Sequence, residues 1–516
     1  MISSLRRFAS ILASLVAATG AFAQTPFALA YNNQDSWSVW AVSTKVREAQ
    51  NGDLVLVSPV LYDTVEQEIH VLRSTASGDL LSAVAFRTEQ HTVLLDLLEL
   101  NDGSFVAVGS QDSRGVVLHM DSQGQLIHAR QYVHGLNGFF TAVWQGSDST
   151  LILVGDYRLS GNSDLLIARV QVDGPVLAVK RVRVGQRDAS SFTAARLADG
   201  GTMLAGWSQD SLNGLLVPGR HIALVRLDAA NQPIGGGRLL CPDHAMPVRG
   251  IHELPSGDLL LAGQYAIDNG TRFPMLARIS ATAQPVWCRG VPLMGDGQFA
   301  NMAPLGTGAV VLRGGYGSGE GVTIADTNAT LLYAGTFLGA DLITEVKGSS
   351  VGDVLIAHSP SLGAGRAFGL ARGTPTGDLG CFSSAVIPPL QDFTLSYAPD
   401  YVVTPSAVTP LDVTALFYPV TVPLQDYVAC ISTAVEEPAT KRDLLLVPVP
   451  VRDVAQLTGQ AIESVLITDA LGRVVFSQQL ASVPQCTLQL GHLVHGVYHL
   501  HVRAGGRGEV LRFVKE

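Results

Sequence analysis

Charge is scarce in this 516-residue chain. Asp, Glu, Lys and Arg make up only 15% of it, and the net charge is −10, with no basic run. That balance argues against nucleic acid and anionic membrane surfaces as partners, both of which select for clustered cations. Cysteine is also scarce, at five, and no two are spaced as CxxC, which excludes zinc-ribbon and thioredoxin-type sites. Long apolar runs are missing beyond the first twenty residues, so no segment is expected to span a bilayer once a leader is removed. There is no HExxH and no Gly-Lys-Ser/Thr phosphate loop. The Gly-rich stretch at 314–321 follows a strand-like run and opens no helix, so it reads as a loop.

Apolar residues, by contrast, make up 47% of the chain, and Gly (53) and Pro (25) are frequent, which fits short strands joined by tight turns rather than disorder. The N-terminus has the form of a secretory leader. Arg6 and Arg7 precede a short apolar segment, Phe8 to Thr19, and Ala21-Phe22-Ala23 is a small-x-small cleavage site that would leave Gln24 first. Loss of the leader takes two arginines with it, so the mature charge is about −12.

An internal repeat sets the fold expectation. A polar or glycine turn followed by an apolar run recurs seven times, with the runs starting at 54, 105, 151, 203, 259, 310 and 354. Four runs end directly in glycine, at Gly109, Gly155, Gly206 and Gly263. A second apolar strand follows each, ending near Arg73, His119, Arg169, Arg226, Arg278, Ile324 or Arg372. Five residues further on comes another turn position: Gly78, Gly124, Gly174, Asn231, Ala283, Ala329 or Gly377. A period of 44 to 56 residues with room for four strands is the size of a propeller blade, because one small sheet can bury both faces only between two neighbours. Residues 27–380 are therefore expected to form an all-β, seven-bladed β-propeller. Six or eight blades remain open, since Phe27–Val46 or a later strand could complete the first blade.

Residues 381–431 break the period. Seven X-Pro bonds punctuate short alternating strands, and Cys381 and Cys430 bracket the stretch. It reads as a Pro-rich β connector closed by a Cys381–Cys430 disulfide, with two buried thiols as the alternative. Cys241 and Cys288 sit at similar places in successive repeats and could face each other, and Cys486 is left over. Residues 432–441 are polar and read as a linker, and 442–516 alternate as a small Ig-like β-sandwich would.

That last stretch carries Pro448-Val449-Pro450, Asp469-Ala470-Leu471-Gly472-Arg473, Leu493-Val494-His495-Gly496-Val497-Tyr498 and the terminal Phe513-Val514-Lys515. It resembles the C-terminal sorting domain, type A, of the type IX (Por) secretion system of Bacteroidetes. The family's opening Pro-Asn-Pro is Pro-Val-Pro in this chain. The resemblance implies Sec export, recognition by the outer-membrane translocon, removal by its C-terminal processing peptidase, and a product that is released or held on the cell surface. The same residues also have plain structural readings, Gly472 and Gly496 as turns and Tyr498 and Phe513 as packing.

No catalytic, metal or cofactor signature emerges. His492, His495, His499 and His501 are close in sequence but lack Cys or carboxylate partners at ligand spacing, and read as solvent-facing. The repeated arginines read as a scaffold hydrogen bond duplicated with the repeat, and Asp53, Asp102, Asp199 and Asp258 as turn caps. The five tryptophans read as core. The leading expectation is a secreted, non-catalytic propeller that binds a surface or polysaccharide ligand. The alternative is a polysaccharide hydrolase or lyase, which would need carboxylates converging at the mouth of the central channel.

Overall fold

A computed structural model describes residues 27–515, apart from 34–39, 62–66, 267–271, 292–298, 338–341, 375–381, 385–390, 432–443 and shorter breaks. The expected leader residues Ala21, Ala23 and Gln24 lie outside the described residues. The chain divides into two compact units, 1–433 and 434–516.

In the first unit, each of the first six repeats supplies four strands of an antiparallel sheet, and the seventh supplies three. The innermost strands, in chain order, are Lys45–Glu48, Thr92–Glu99, Asn137–Gln145, Asp188–Arg196, Ala245–Glu253, Phe299–Pro304 and Leu342–Gly348, and the sheets are numbered 1 to 7 after them. Each innermost strand packs on the next, and the seventh packs on the first, so the sheets close a ring as propeller blades do. A separate apolar cluster fills each of the seven interfaces between neighbouring sheets. Burying a Leu, Val or Ile is worth about 1.5–3 kcal/mol, so these wedges are the main stabilising term.

The turns follow from the repeat. Gly52, Gly103, Gly200, Gly257, Gly308 and Gly352 all have φ between 77° and 90°. The second turn needs the same left-handed backbone, and Gly78, Gly124, Gly174, Asn231, Ala283 and Ala329 all adopt it.

Two features go beyond the repeat. Phe27–Asn33 does not complete the first sheet; it pairs with Phe368–Gly373 as the fourth strand of sheet 7, so the N-terminal end of the described chain closes the ring. Residues 382–431, expected as a connector, are a strap. After sheet 7 the chain turns back and lays one outer strand on every sheet in reverse order: Phe382–Ser384 on sheet 6, Gln391–Phe393 on 5, Ser396–Ala398 on 4, Tyr401–Pro405 on 3, Thr409–Asp412 on 2, Tyr418–Val420 on 1, and Leu424–Ile431 on sheet 7 beside Phe27–Asn33. The prolines suit this placement. Pro410 lies opposite Tyr132 and Pro419 opposite Phe86, in strands whose other edge needs no donor. Short, proline-bearing strands also leave no long free edge for another chain to extend. Cys381 lies outside the described residues, as does the side chain of Cys430 in the strap's last strand.

In the second unit, where an Ig-like sandwich is expected, the described residues form one five-stranded antiparallel sheet. Its two longest strands, Val454–Asp469 and Val474–Gln489, break register around Ile462 and Val483, beside positive φ at Ala461 and Ser482. Bulges in paired strands bend a sheet, and an apolar core including Ile467, Leu488, Leu500 and Phe513 collects within it.

Candidate functional site

The glycines that end the apolar runs prepare the centre of the ring. A Cβ on Gly155 would lie 2.0 Å from the Phe139 carbonyl oxygen, and one on Gly109 would lie 1.9 Å from that of Val93. Only glycine admits so close an approach. Opposite these positions the innermost strands bulge, with register shifts between Leu94 and Asp96, Phe140 and Ala142, Val248 and Gly250, Phe299 and Asn301, and Ile343 and Glu345. A bulge re-aims the side chains beside it. Here the re-aimed residues line a central channel of about 910 Å³ to which all seven innermost strands contribute.

The channel wall is uneven. Six cations line it, Lys45, Arg47, Arg196, Arg249, Arg313 and Lys347, against two carboxylates, Asp96 and Glu345, which leaves an excess of four positive charges inside an acidic protein. Five of the cations lie on sheets 5, 6, 7 and 1, consecutive around the ring. Sheets 2 to 4 contribute mainly apolar lining, including Leu95, Phe139, Trp144 and Phe192. The sixth cation, Arg196, sits 5.9 Å over the Trp144 ring and donates to Thr202 Oγ1 and the Gly200 carbonyl.

Both carboxylates hold the ring together. Asp96 accepts from the Val143 N–H of the next sheet (3.0 Å) and from Arg47 (2.9 Å). Glu345 is buried, accepts from the Val46 N–H (2.7 Å) and lies 3.2 Å from Lys347 Nζ. Burial alone would raise the Glu345 pKa, but Lys347, Lys45, Arg47 and the Val46 N–H outweigh it and hold the carboxyl below its ordinary value. Asn301 plays the same part, accepting from Val346 N–H at 2.8 Å. Of the other cations, Arg313 donates to Glu320 and the Thr344 carbonyl.

The repeated arginines lie away from the channel wall and knit the ring. Arg73, Arg278 and Arg372 bond the first-turn acids Asp53, Asp258 and Asp353, each at 2.8 Å, and Arg226 bonds Asp199. Arg73 also reaches the Ser122 carbonyl in sheet 2 (2.9 Å), and Arg372 the Ala76 carbonyl in sheet 1 (3.1 Å), across the ring's closure. Asp102 instead caps its own turn through Ser104. Trp144 departs from a plain core role: its ring borders the channel, and its indole N–H donates to Asn231 at 3.0 Å.

The channel residues escape repeat-based reading because they vary where the repeat is otherwise regular. Seven positions before the first-turn glycine the chain reads Lys45, Asp96, Thr193, Gly250, Asn301 and Glu345 in the sheets that have one. A fixed offset with changing chemistry is the signal that could have found them. A second pattern also went unused. Glu48, Glu99 and Glu253, four residues before that glycine, each accept a backbone N–H from the neighbouring sheet's turn.

In the second unit the sorting-motif residues are structural. Tyr498 stacks on Phe513 at 5.6 Å, and its hydroxyl donates to the Val494 carbonyl at 2.8 Å. Leu493 and Phe513 are buried, and Gly496 pairs with Lys515. Lys515 is buried with Nζ 3.8 Å from Asp453, whereas Val514 is exposed and accepts from the Val451 N–H. Asp469 ends a strand opposite Tyr498. Pro448, Pro450, Gly472 and Arg473 lie outside the described residues. His501 lies 3.3 Å from Thr468 Oγ1, and among the described residues no group of three or more His, Cys, Asp or Glu side chains is placed to hold a metal. Cys288 is buried, and Cys241 lies outside the described residues. No helix among the described residues is long and apolar enough to cross a membrane.

Comparison with known proteins matches residues 446–516 to the secretion system C-terminal sorting domain. That domain marks the chain for type IX export, to the cell surface or the medium. No curated protein matches the chain. Among solved structures, it is similar to a catalytically inactive virginiamycin B lyase of Staphylococcus aureus with quinupristin (10% identity, 66% of this chain and 98% of that one, TM-score 0.44). It is also similar to the WD40 domain of Toxoplasma gondii coronin (11%, 69% and 90%, 0.41) and to a protein of unknown function from Dyadobacter fermentans (12%, 68% and 98%, 0.38). At these identities the likeness is one of fold, a propeller-like ring of sheets, and says nothing of ligand or chemistry.

Proposed function

We propose that the chain is a secreted or surface-held binding module: a propeller delivered by its sorting domain, which the processing peptidase removes, with the central channel as the ligand site and no catalysis of its own. One observation carries this reading. Both carboxylates in the channel are already committed to backbone N–H groups of neighbouring strands, and Glu345 is held ionised. A glycosidase needs one carboxylic acid able to donate a proton and a second carboxylate free to act as base or nucleophile. Neither group is free for such a role, whereas a concave site with several cations suits binding.

The alternative, a polysaccharide hydrolase or lyase, is tested directly. Purified protein incubated with a panel of neutral and acidic polysaccharides is expected to be retained by some of them without releasing new reducing ends or unsaturated products. Turnover of any of them would favour the enzyme, and its loss in Glu345→Gln or Asp96→Asn would assign a carboxylate to the chemistry.

A further inference from the structure

Two of the channel cations differ from the rest. Arg47, Arg196, Arg313 and Lys347 each have a hydrogen bond or ion pair with a nearby carbonyl, hydroxyl or carboxylate. Lys45 and Arg249 have none among the described residues, although both border the cavity. Arg249 sits at the bulge of sheet 5, between Val248 and Gly250, and is the only charged residue at that bulge position among the described sheets, where the others carry Leu95, Thr141, Ala300 or Thr344. Lys45 is half-buried and Arg249 is exposed on the channel wall, so both cations are open to a ligand. Desolvation lowers the pKa of both groups, and Arg313 pushes each lower still by like-charge repulsion. Glu345 attracts Lys45, and Asp156 attracts Arg249, but neither acid is within ion-pair distance. The ring therefore holds several cations within reach of one another with too few acids to balance them.

We propose that Lys45 and Arg249, converging with Arg313 on the cationic side of the channel, bind the acidic groups of an oligosaccharide whose apolar sugar faces rest on the Phe139 and Trp144 side. The inference rests on the channel being the binding site. Arg249 offers a planar fork that matches a carboxylate or sulfate in two parallel hydrogen bonds, and Lys45 offers a point charge. The opposite wall supplies flat aromatic surface. The volume of about 910 Å³ is in the range of sites for small molecules and short oligomers, too small for a folded partner. Uronate and sulfated sugars share this chemistry.

The test uses the full chain in calorimetric titrations with four probes: an oligogalacturonate, a sulfated chondroitin oligosaccharide, a neutral cello-oligosaccharide of equal length, and sodium sulfate. One or both acidic oligosaccharides are expected to bind, more weakly as salt rises, and the neutral one not to bind. Arg249→Gln and Lys45→Met should each weaken binding about tenfold or more, while Arg272→Gln, on an exposed outer position, should not. Binding by the oligogalacturonate shows that uronate suffices, and binding by the sulfated chondroitin oligosaccharide but not the oligogalacturonate shows that it does not; either supports the proposal. Binding by the neutral oligosaccharide at equal strength overturns it, as does binding of sulfate alone. Acidic-sugar binding unchanged in both variants also overturns it, while leaving the binding-module reading intact. Cleavage of a bound acidic sugar would leave the site standing and remove the non-catalytic reading. If a variant melts below the assay temperature, the salt dependence and neutral-sugar comparison on the unaltered chain still decide.

Discussion

The sheets and the strap solve the same problem in opposite ways. Each sheet is a local antiparallel meander whose inner strands run 4 to 13 residues and are wedged by apolar clusters. The strap is built from pieces of mostly 3 to 5 residues that pair with strands from about 50 to about 400 residues earlier. A short edge strand is marginal alone, and the strap gains stability only because seven sheets already stand in place. The ring, in turn, gains a cover for every outer edge and a second fixed end at sheet 7.

Removing the strap should therefore be the most damaging change to the first unit. A chain ending at residue 433 is expected to be monomeric and cooperative in size-exclusion and thermal melts. One ending at residue 373 should aggregate, because seven outer edges lose their partners and sheet 7 loses the neighbour of Phe27–Asn33. A soluble monomer of the shorter chain with an unchanged melt would show the strap to be decoration.

This contrast also explains what the sequence made legible. Repetition announces itself, so the sheets, both turns and the role of Arg73, Arg278 and Arg372 could be anticipated from spacing. The destination of a strap is encoded in no period: Pro410 and Pro419 look like breakers until Tyr132 and Phe86 are seen opposite them. The closing role of Phe27–Asn33 was hidden for the same reason, since its partners lie near residues 370 and 428. The channel was hidden differently. Lys45, Arg249 and Glu345 occupy positions where the repeat varies, and a search for sameness passes over them. The tail was legible because its motif is dense, and Tyr498, Leu493 and Phe513 of that motif belong to the unit's core.

Arg372 allows the closure of the ring to be weighed against the strap. Among the described residues it is the largest fully buried side chain, paired with Asp353 and reaching from sheet 7 to the Ala76 carbonyl of sheet 1. Arg372→Met should cost about 3–5 kcal/mol, because Asp353 is left as a buried, unpaired charge. Chemical denaturation would read this. A loss no larger than that of Arg73→Met, whose ion pair with Asp53 is partly exposed, would mean closure is carried by the strap instead.

Glu345 gives a smaller effect with a defined pH signature. Its folded pKa lies below 4.5, so the unfolded chain binds more protons in this range and stability rises with pH. The contribution is complete above the ordinary glutamate value and is lost as pH falls below it through the folded pKa. Glu345→Gln should lower stability at pH 7 by about 1–3 kcal/mol, since the Val46 N–H keeps an acceptor while Lys45 and Lys347 lose their counter-charge. It should also flatten the dependence below pH 4.5. An unchanged acid profile would assign that dependence to other carboxylates.

The smallest expected change tests why the repeat tolerates exceptions at all. The second turn carries glycine in sheets 1 to 3 but alanine at 283 and 329, both with φ near 64°. A non-glycine residue there costs about 1–2 kcal/mol in backbone strain. Ala329 has no exposed surface and belongs to the cluster between sheets 5 and 6, and burying a methyl returns about 0.8 kcal/mol. Alanine also restricts the unfolded chain more than glycine does, which favours the fold by about 0.4–1 kcal/mol. These terms nearly cancel, so Ala329→Gly should shift stability by less than about 1 kcal/mol in either direction. The same substitution at Asn231, whose side chain accepts the Trp144 indole N–H, should be more costly despite relieving the same strain, because it strips a hydrogen bond from a residue that borders the channel. If the two substitutions prove equal, backbone strain alone governs the second turn, and the tie from sheet 4 to the channel wall contributes nothing to holding Trp144 in place.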